Sequence, residues 1–253
     1  GKETLDISET SIPTLKEHLK DLDVLINCAA FTAVDLAERQ SFEADKLNNQ
    51  AIFSLAKVCK ELGVFFIHIS TDYVFDGQSS QPYREEDQTN PKTIYGKSKL
   101  KGEEHILNSK IPSIVIRTSW LFSPFGNNFY NTIKEKMSAN QKLSVVTDQS
   151  GTPTSALDLA RVILELAKNH QGILQPEIFH VANSGVASWY ELALTIRDNI
   201  YPNYPISSIK SNQLNQTAVR PRFSALSSEK LKKSFNISMR SWKQALEEVI
   251  YIS

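Results

Sequence analysis

Glycine is scarce here: nine residues among 253, with no GxGxxG or GxxGxxG pattern. The phosphate-cradling turn of a dinucleotide fold therefore has no signature in this sequence. Cysteine is scarcer still. Cys28 and Cys59 have neither metal-ligand nor redox spacing, which excludes a disulfide scaffold and a thiolate metal centre. Both are expected as reduced core residues of a cytoplasmic protein. Neither sign of charge is in excess, with 28 basic and 28 acidic side chains. Bulk charge thus draws the chain neither to nucleic acid nor to a membrane surface. No run approaches the roughly 18 apolar residues of a membrane-crossing helix, and no basic-then-apolar pattern opens the sequence. With 41% hydrophobic and 22% charged residues, the composition is that of a globular protein of one domain, or one with a smaller companion.

The most informative stretch is residues 65–100. It opens with the apolar, β-branched run FFIHIS and reaches Ser70, Thr71, Asp72 and Tyr73. A turn-rich connection follows through Pro82, Asn90 and Pro91, and then IYGKSKLKGEE. Tyr95 and Lys99 are four residues apart, so a helix stacks them on one face. A phenol and an ammonium near a hydroxyl at a strand end suit proton exchange with a carbonyl oxygen. Free tyrosine titrates near 10, too high for that task at neutral pH; a nearby lysine cation is expected to lower it. By itself Tyr-x3-Lys is a weak motif, equally at home on any helix surface.

The rest of the chain alternates. A helix is expected over 12–22, a strand over 23–27, a long helix over 42–62 stopped by Gly63, and a strand over 64–70. A helix over 95–108 and a strand over 113–118 continue the pattern. Near-continuous apolar strands between helices imply a parallel sheet covered on both faces, hence an α/β, doubly wound Rossmann-like fold. Ligands sit beyond the carboxyl ends of such strands, which are residues 29–32, 70–73 and 118–120. Further on, helices are expected over 129–137, from 154 or 155 to 168, over 189–199 and from 241. Strands are expected over 143–146 and 178–181, an irregular segment over 206–215, and an extended one over 220–226. His68 and His105 read as structural, and the run Glu85-Glu86-Asp87 as a solvated loop; no metal site is expected.

STDYVFDG, PY-x-E-x-D, YGKSKLKGE, RTSWLF, GNNF and DQSGTPT, in this order, resemble the dTDP-4-dehydrorhamnose reductase family of extended short-chain dehydrogenases/reductases. The resemblance runs from about Leu5 to the C-terminus. It implies a Rossmann-like sheet lacking its first βαβ part, with dinucleotide-binding residues 1–122. A smaller substrate-binding domain would occupy 123–253, some of its segments returning to the core. It also implies roughly 30 residues ahead of Gly1, about one βαβ unit holding the glycine motif. The alternative is a protein that has lost cofactor binding.

By the same resemblance, Thr71 is the catalytic hydroxyl, Tyr95 the proton donor and Lys99 its support. Asp6, Ile7, Ala30, Phe31, Thr32 and Ile69 flank the cofactor, NADPH or NADH. The substrate side would be Thr71, Asp72, Tyr73, Trp120, Asn128 and Arg220. Plainer readings accompany some of these: a helix cap for Asp6, core for Phe31, a turn for Asn128 and a surface ion pair for Arg220. The implied reaction reduces the C4 ketone of dTDP-4-dehydro-L-rhamnose. Its partner is a dTDP-sugar, with no nucleic acid and no membrane, and a homodimer is compatible. Rival readings are a reductase or epimerase acting on another nucleotide sugar, or a non-catalytic regulatory subunit like the β subunit of methionine adenosyltransferase.

Overall fold

The computed structural model describes residues 5–253. Helix α1 (Ile12–Leu19) starts at Ser11, whose hydroxyl accepts the Thr14 amide, and buries Leu15 and Leu19. Strand β1 (Val24–Asn27) follows. The long helix expected over 42–62 is broken in two places. It comprises Ser41–Asp45, a π-turn at Lys46–Gln50, and α2 (Ala51–Leu62). Gly63 ends it with φ 72°, a left-handed cap that favours glycine. Strand β2 (Phe65–Thr71), helix α3 (Ile94–Ser109) and strand β3 (Ser113–Thr118) lie close to their expected bounds. Strand β4 (Pro176–His180) returns from the later part of the chain.

These four strands form one parallel sheet in the order β1-β2-β3-β4. Strand residues alternate faces. Phe66 and Val115 point to the side of α1 and α2, with Leu15, Ile52 and Leu55. Phe65, Ile67, Ile114 and Ile116 point to the other side, against Leu159 and Leu166 of a helix over Ala156–Lys168. Each fully buried side chain of this kind contributes about 1.5–3 kcal/mol. The register sets Asn27 beside His68 and Thr71 beside Thr118, so the carboxyl ends finish on one rim.

A second apolar cluster gathers Tyr130, Ile133, Leu192, Ile196, Trp242 and Leu246. Its helices are α4 (Phe129–Ser138), α5 (Trp189–Ile200) and α6 (Trp242–Tyr251). The segment expected to be irregular from 206 is partly a strand. Ile206–Ile209 pairs in parallel with Leu143–Val146. Asp148 fixes its end by accepting the Ser211 amide at 2.9 Å. Cys59 is core, and burial pushes its thiol up to about 12. Cys28 is not core: it is exposed just past β1, because the strand ends one residue before it. Among the described residues, no helix is long and apolar enough to cross a membrane.

Candidate active site

The site forms where β2 runs out and α3 begins. Thr71 closes β2 and accepts the Tyr73 amide at 3.2 Å, starting a tight turn at Asp72–Val74. Thr93 caps α3 by accepting the Gly96 amide at 3.0 Å. Tyr95 then falls in the first helical turn and Lys99 in the next. Two glycines allow α3 to lie this close. A Cβ on Gly96 would stand 2.2 Å from the Tyr73 carbonyl oxygen, and one on Gly102 2.4 Å from that of Asn48. The result is a cleft of about 570 Å³. Its wall includes Thr71, Tyr73, Tyr95 and Lys99, with Ala30 and Thr32 from the β1 side. Trp120, Asn128 and Trp189 face them.

Lys99 is 1% exposed. Its Nζ donates to the Ile69 carbonyl at 2.5 Å and lies 3.1 Å from His68 Nε2. Burial lowers its pKa to about 8, against the opposing influence of Glu103 and Cys28. Tyr95 differs from expectation. Its surroundings keep the phenol from bulk water and push it up to about 12; the hydrogen bond with Thr71 works downward and the Asp72 charge upward. Tyr95 is thus a protonated acid at neutral pH, loaded for donation. The Thr71 hydroxyl donates to Asp72 Oδ1 at 3.0 Å, giving a chain Tyr95–Thr71–Asp72.

Asp72 turns inward, 2% exposed. Its Oδ2 has no hydrogen-bond partner among the described residues. Burial raises the carboxyl to about 6, despite the Ser224 and Thr71 hydroxyls. It still borders the cleft, and the Thr71 hydroxyl links it towards Tyr95. Tyr73 packs edge-on to Tyr95, ring centroids 5.5 Å apart.

The other expected site residues fall in different places. Ile69, expected to meet the cofactor through its backbone, lies in the cleft wall and accepts the Lys99 ammonium with its backbone carbonyl. Phe31 is half-buried, and both its backbone groups are held by Asn48, at 2.8 and 3.0 Å. Asn128 caps α4 and spends its amide nitrogen on the Ser123 and Phe125 carbonyls; this is the turn role, and its side chain is already satisfied by the chain. Arg220 is paired with Asp35 at 2.6 Å, so the ion-pair reading holds in this structure. Asp6 accepts the amide and hydroxyl of Ser8; the helix cap it was expected to supply comes from Ser11. Neither Asp6 nor Ile7 is in the cleft wall as described.

Two residues escaped the sequence reading. Asn48, fully buried in the π-turn, joins the 28–33 loop to α3 through Ser98. Its signal was Asn48-Asn49, a pair of poor helix formers in a helical stretch. Trp189 stacks on Trp120 at 3.6 Å with planes 2° apart. Trp120 itself has φ 48°, uncommon for a bulky residue and a mark of strain at functional sites. Gly151 lies against its other side: a Cβ there would stand 2.5 Å from Trp120 Cε2.

Two buried histidines make the fold acid-sensitive. Burial and the Lys99 charge hold His68 well below 6.5, and burial with Arg117 brings His180 to about 3. Both are neutral when folded and take up protons below about pH 6.5 once unfolded. Their contribution is complete above that pH and falls by about 1.4 kcal/mol per pH unit each as pH drops. Asp72 has the opposite sign, since its folded pKa is raised, and offsets about one of the two between pH 6 and 4. Urea midpoints at pH 7, 6 and 5 are expected to fall progressively; equal midpoints would contradict this.

The family model of the RmlD substrate binding domain matches residues 1–252. The spore coat polysaccharide biosynthesis protein SpsK of Bacillus subtilis is 40% identical over 228 residues, 90% of this chain and 78% of its own. The dTDP-4-dehydrorhamnose reductase of Sinorhizobium fredii is 34% identical over 260 residues, 99% of this chain and 87% of its own. The crystal structure of dTDP-4-dehydrorhamnose reductase from Bacillus anthracis in complex with NADP superposes with a TM-score of 0.93 at 30% identity, covering 100% of this chain and 88% of that one. By its motifs, its parallel sheet and these relatives, the chain belongs to the dTDP-4-dehydrorhamnose reductase family.

Proposed function

We propose that this protein reduces the C4 ketone of dTDP-4-dehydro-L-rhamnose to dTDP-L-rhamnose with NADPH or NADH. The observation that carries the reading is the grouping of Thr71, a protonated Tyr95 and a buried Lys99 in one cleft at the rim of a parallel sheet. The cleft fits the nicotinamide end of a dinucleotide. An ammonium has three donors; the Ile69 carbonyl engages one, leaving donors for a ribose hydroxyl. Ala30 and Thr32 are small enough for close approach.

The bound cofactor supplies the hydride. Tyr95 donates its proton to the C4 oxygen as charge develops there. Thr71, whose hydroxyl now serves Asp72, turns to polarise that oxygen. Lys99 holds the ribose and stabilises the phenolate left behind. Tyr73 and Trp120 border the sugar. Arg220 is assigned to the diphosphate, and must leave Asp35 to reach it. The cleft is read as the seam between residues up to 122 and the substrate-binding part from 123. A cytoplasmic location and a homodimer belong to the same reading.

The test is NADPH and NADH consumption with dTDP-4-dehydro-L-rhamnose. Turnover supports the assignment. No turnover by folded, cofactor-binding protein would favour another nucleotide sugar or the regulatory reading. The close packing of α3 adds a sharper expectation. Gly96→Ala forces the Tyr73 carbonyl and the first turn of α3 apart, moving Tyr95 from Thr71. A displacement of about 1 Å costs on the order of 100-fold in rate. An unchanged kcat in a folded Gly96→Ala protein would contradict the geometry.

A further inference from the structure

We propose that residues 34–38 are a clasp for the cleft: Asp35 holds Arg220 until a nucleoside diphosphate takes it over, and Glu38 fixes the first turn of α3 beside Tyr95. Both are positioning residues. The proposal rests on the reading of Arg220 as the diphosphate contact. The segment leaves the cleft wall at Val34 as a short helix over Val34–Ala37, with Glu38 at its end. Asp35 meets a connection held at both ends. At one end the Ser211 amide donates to Asp148 at 2.9 Å. At the other the Phe223 amide donates to the Gly77 carbonyl at 3.3 Å. Between them, among the described residues, the hydrogen bonds tying residues 215–221 to other parts of the chain come from Asp35 and Arg39. Asp35 Oδ1 accepts the Thr217 and Ala218 amides, each at 3.0 Å, and Oδ2 accepts Arg220 Nη2 at 2.6 Å. Arg39 donates to the Thr217 hydroxyl at 3.4 Å.

The two carboxylate oxygens divide the work. Oδ1 holds the backbone of the connection, and Oδ2 holds the guanidinium. Arg220 can therefore leave while the connection stays tied. Arg220 lines a cavity of about 360 Å³ with Gln149 and Trp189, and one of about 610 Å³ with Tyr73 and Thr93. A ligand that recruits it must break its ion pair with Asp35, whose side chain is 40% exposed against 19% for Arg220. Only an anion replaces what is lost, so the pair selects a diphosphate over a neutral sugar. The exchange lies beside the reacting end. Burial raises the Tyr73 phenol most, and the opposed charges of Arg220 and Asp35 both reach it; its ring packs on Tyr95. At the other end of the clasp, Glu38 Oε1 accepts the Ile94 amide at 2.8 Å. Ile94 opens α3 directly before Tyr95, and its amide has no acceptor within the helix. A carboxylate is favoured there by the helix dipole. One short helix thus ties both the connection that carries Arg220 and the turn that carries Tyr95.

The test measures dTDP binding by calorimetry and turnover by steady-state kinetics. Asp35→Asn keeps an oxygen for the two amides and removes the charge that holds Arg220. It is expected to bind dTDP about two- to fivefold more tightly, the scale of a partly exposed ion pair no longer broken. The gain should vanish in an Arg220→Met background, as a double-mutant cycle requires of a direct coupling. Glu38→Leu is expected to lower kcat about tenfold or more by loosening the turn that places Tyr95, with dTDP affinity near wild type. Glu38→Gln keeps the acceptor oxygen and restores kcat. General destabilisation would produce neither the tightening nor this split. Unchanged or weaker dTDP binding by Asp35→Asn, or the same gain without Arg220, would overturn the proposal, as would a Glu38→Leu enzyme with wild-type kcat. If Asp35→Asn does not fold, a crystal structure of wild type with dTDP decides. Arg220 is expected on the diphosphate, with the Thr217 and Ala218 amides still on Asp35; Arg220 still paired with Asp35 there would overturn it. A wild type that binds dTDP without reducing the keto-sugar would remove the reductase reading, and the Asp35 comparison would still judge the exchange. A wild type that does not bind dTDP would overturn both.

Discussion

Replacing Tyr95 by Phe is expected to lower kcat by about 10²- to 10⁴-fold, the usual contribution of a positioned general acid. The variant removes one oxygen and nothing else. The edge-on contact with the Tyr73 ring survives, and so does the Lys99 contact to Ile69. Cofactor affinity should stay near wild type, because the ribose contact is assigned to Lys99. The loss should therefore appear in kcat and in kcat/KM alike, as expected when an interaction made only in the transition state is removed. Steady-state kinetics with a cofactor titration checks this. A Tyr95→Phe enzyme within a few-fold of wild type would move proton donation to another group, the Thr71–Asp72 pair being nearest.

The second large effect is on stability. Arg117→Met is expected to destabilise the fold by about 3–5 kcal/mol, the cost of leaving a buried charge without its partner. Arg117 and Glu103 have side-chain exposures of 3% and 0%. The guanidinium reaches both carboxylate oxygens through Nε, at 3.1 and 3.2 Å, and one of them through Nη2 at 2.7 Å. Its other face lies over the Phe75 ring, 5.1 Å from the centroid. Once Arg117 is gone, the Ser70 hydroxyl is the hydrogen-bond partner left to Glu103 among the described residues. Ser70 adjoins Thr71, so the disturbance starts one residue from the site. A drop in melting temperature of roughly 10 °C is expected for a chain of this size. The double variant Glu103→Leu/Arg117→Met should recover part of the loss, because a matched apolar pair leaves neither of these two charges buried without its partner. Equal instability of the single and double variants would show that packing, not the unpaired carboxylate, sets the cost.

What the sequence made legible has a physical pattern. The four-residue step from Tyr95 to Lys99 was readable because helical period alone puts them on one face. The β2 end was readable because its apolar run stops at Ser70 and Thr71, and the stop at Gly63 because only a left-handed cap suits it. The less legible features depend on partners distant in sequence. Ile206–Ile209 hides in polar surroundings and becomes a strand only by pairing with Leu143–Val146. His68 looked like a strand histidine, and only the sheet register and the closeness of α3 bring it between Asn27 and Lys99. The rise of Tyr95 to about 12 likewise comes from burial by surrounding elements, which outweighs the effect expected from Lys99. Arg220 shows a charge whose resting partner, Asp35, is 185 residues away in sequence.

The measurement that bears most directly on the central claim follows the transferred hydrogen. The protein is given dTDP-4-dehydro-L-rhamnose and NADPH or NADH deuterated at the transferable position of nicotinamide C4, and the sugar is analysed by mass and NMR. The account predicts dTDP-L-rhamnose with deuterium at C4 and none elsewhere on the ring, formed far more slowly by Tyr95→Phe. Deuterium at another carbon, or unlabelled sugar recovered with the cofactor bound and unspent, would contradict it.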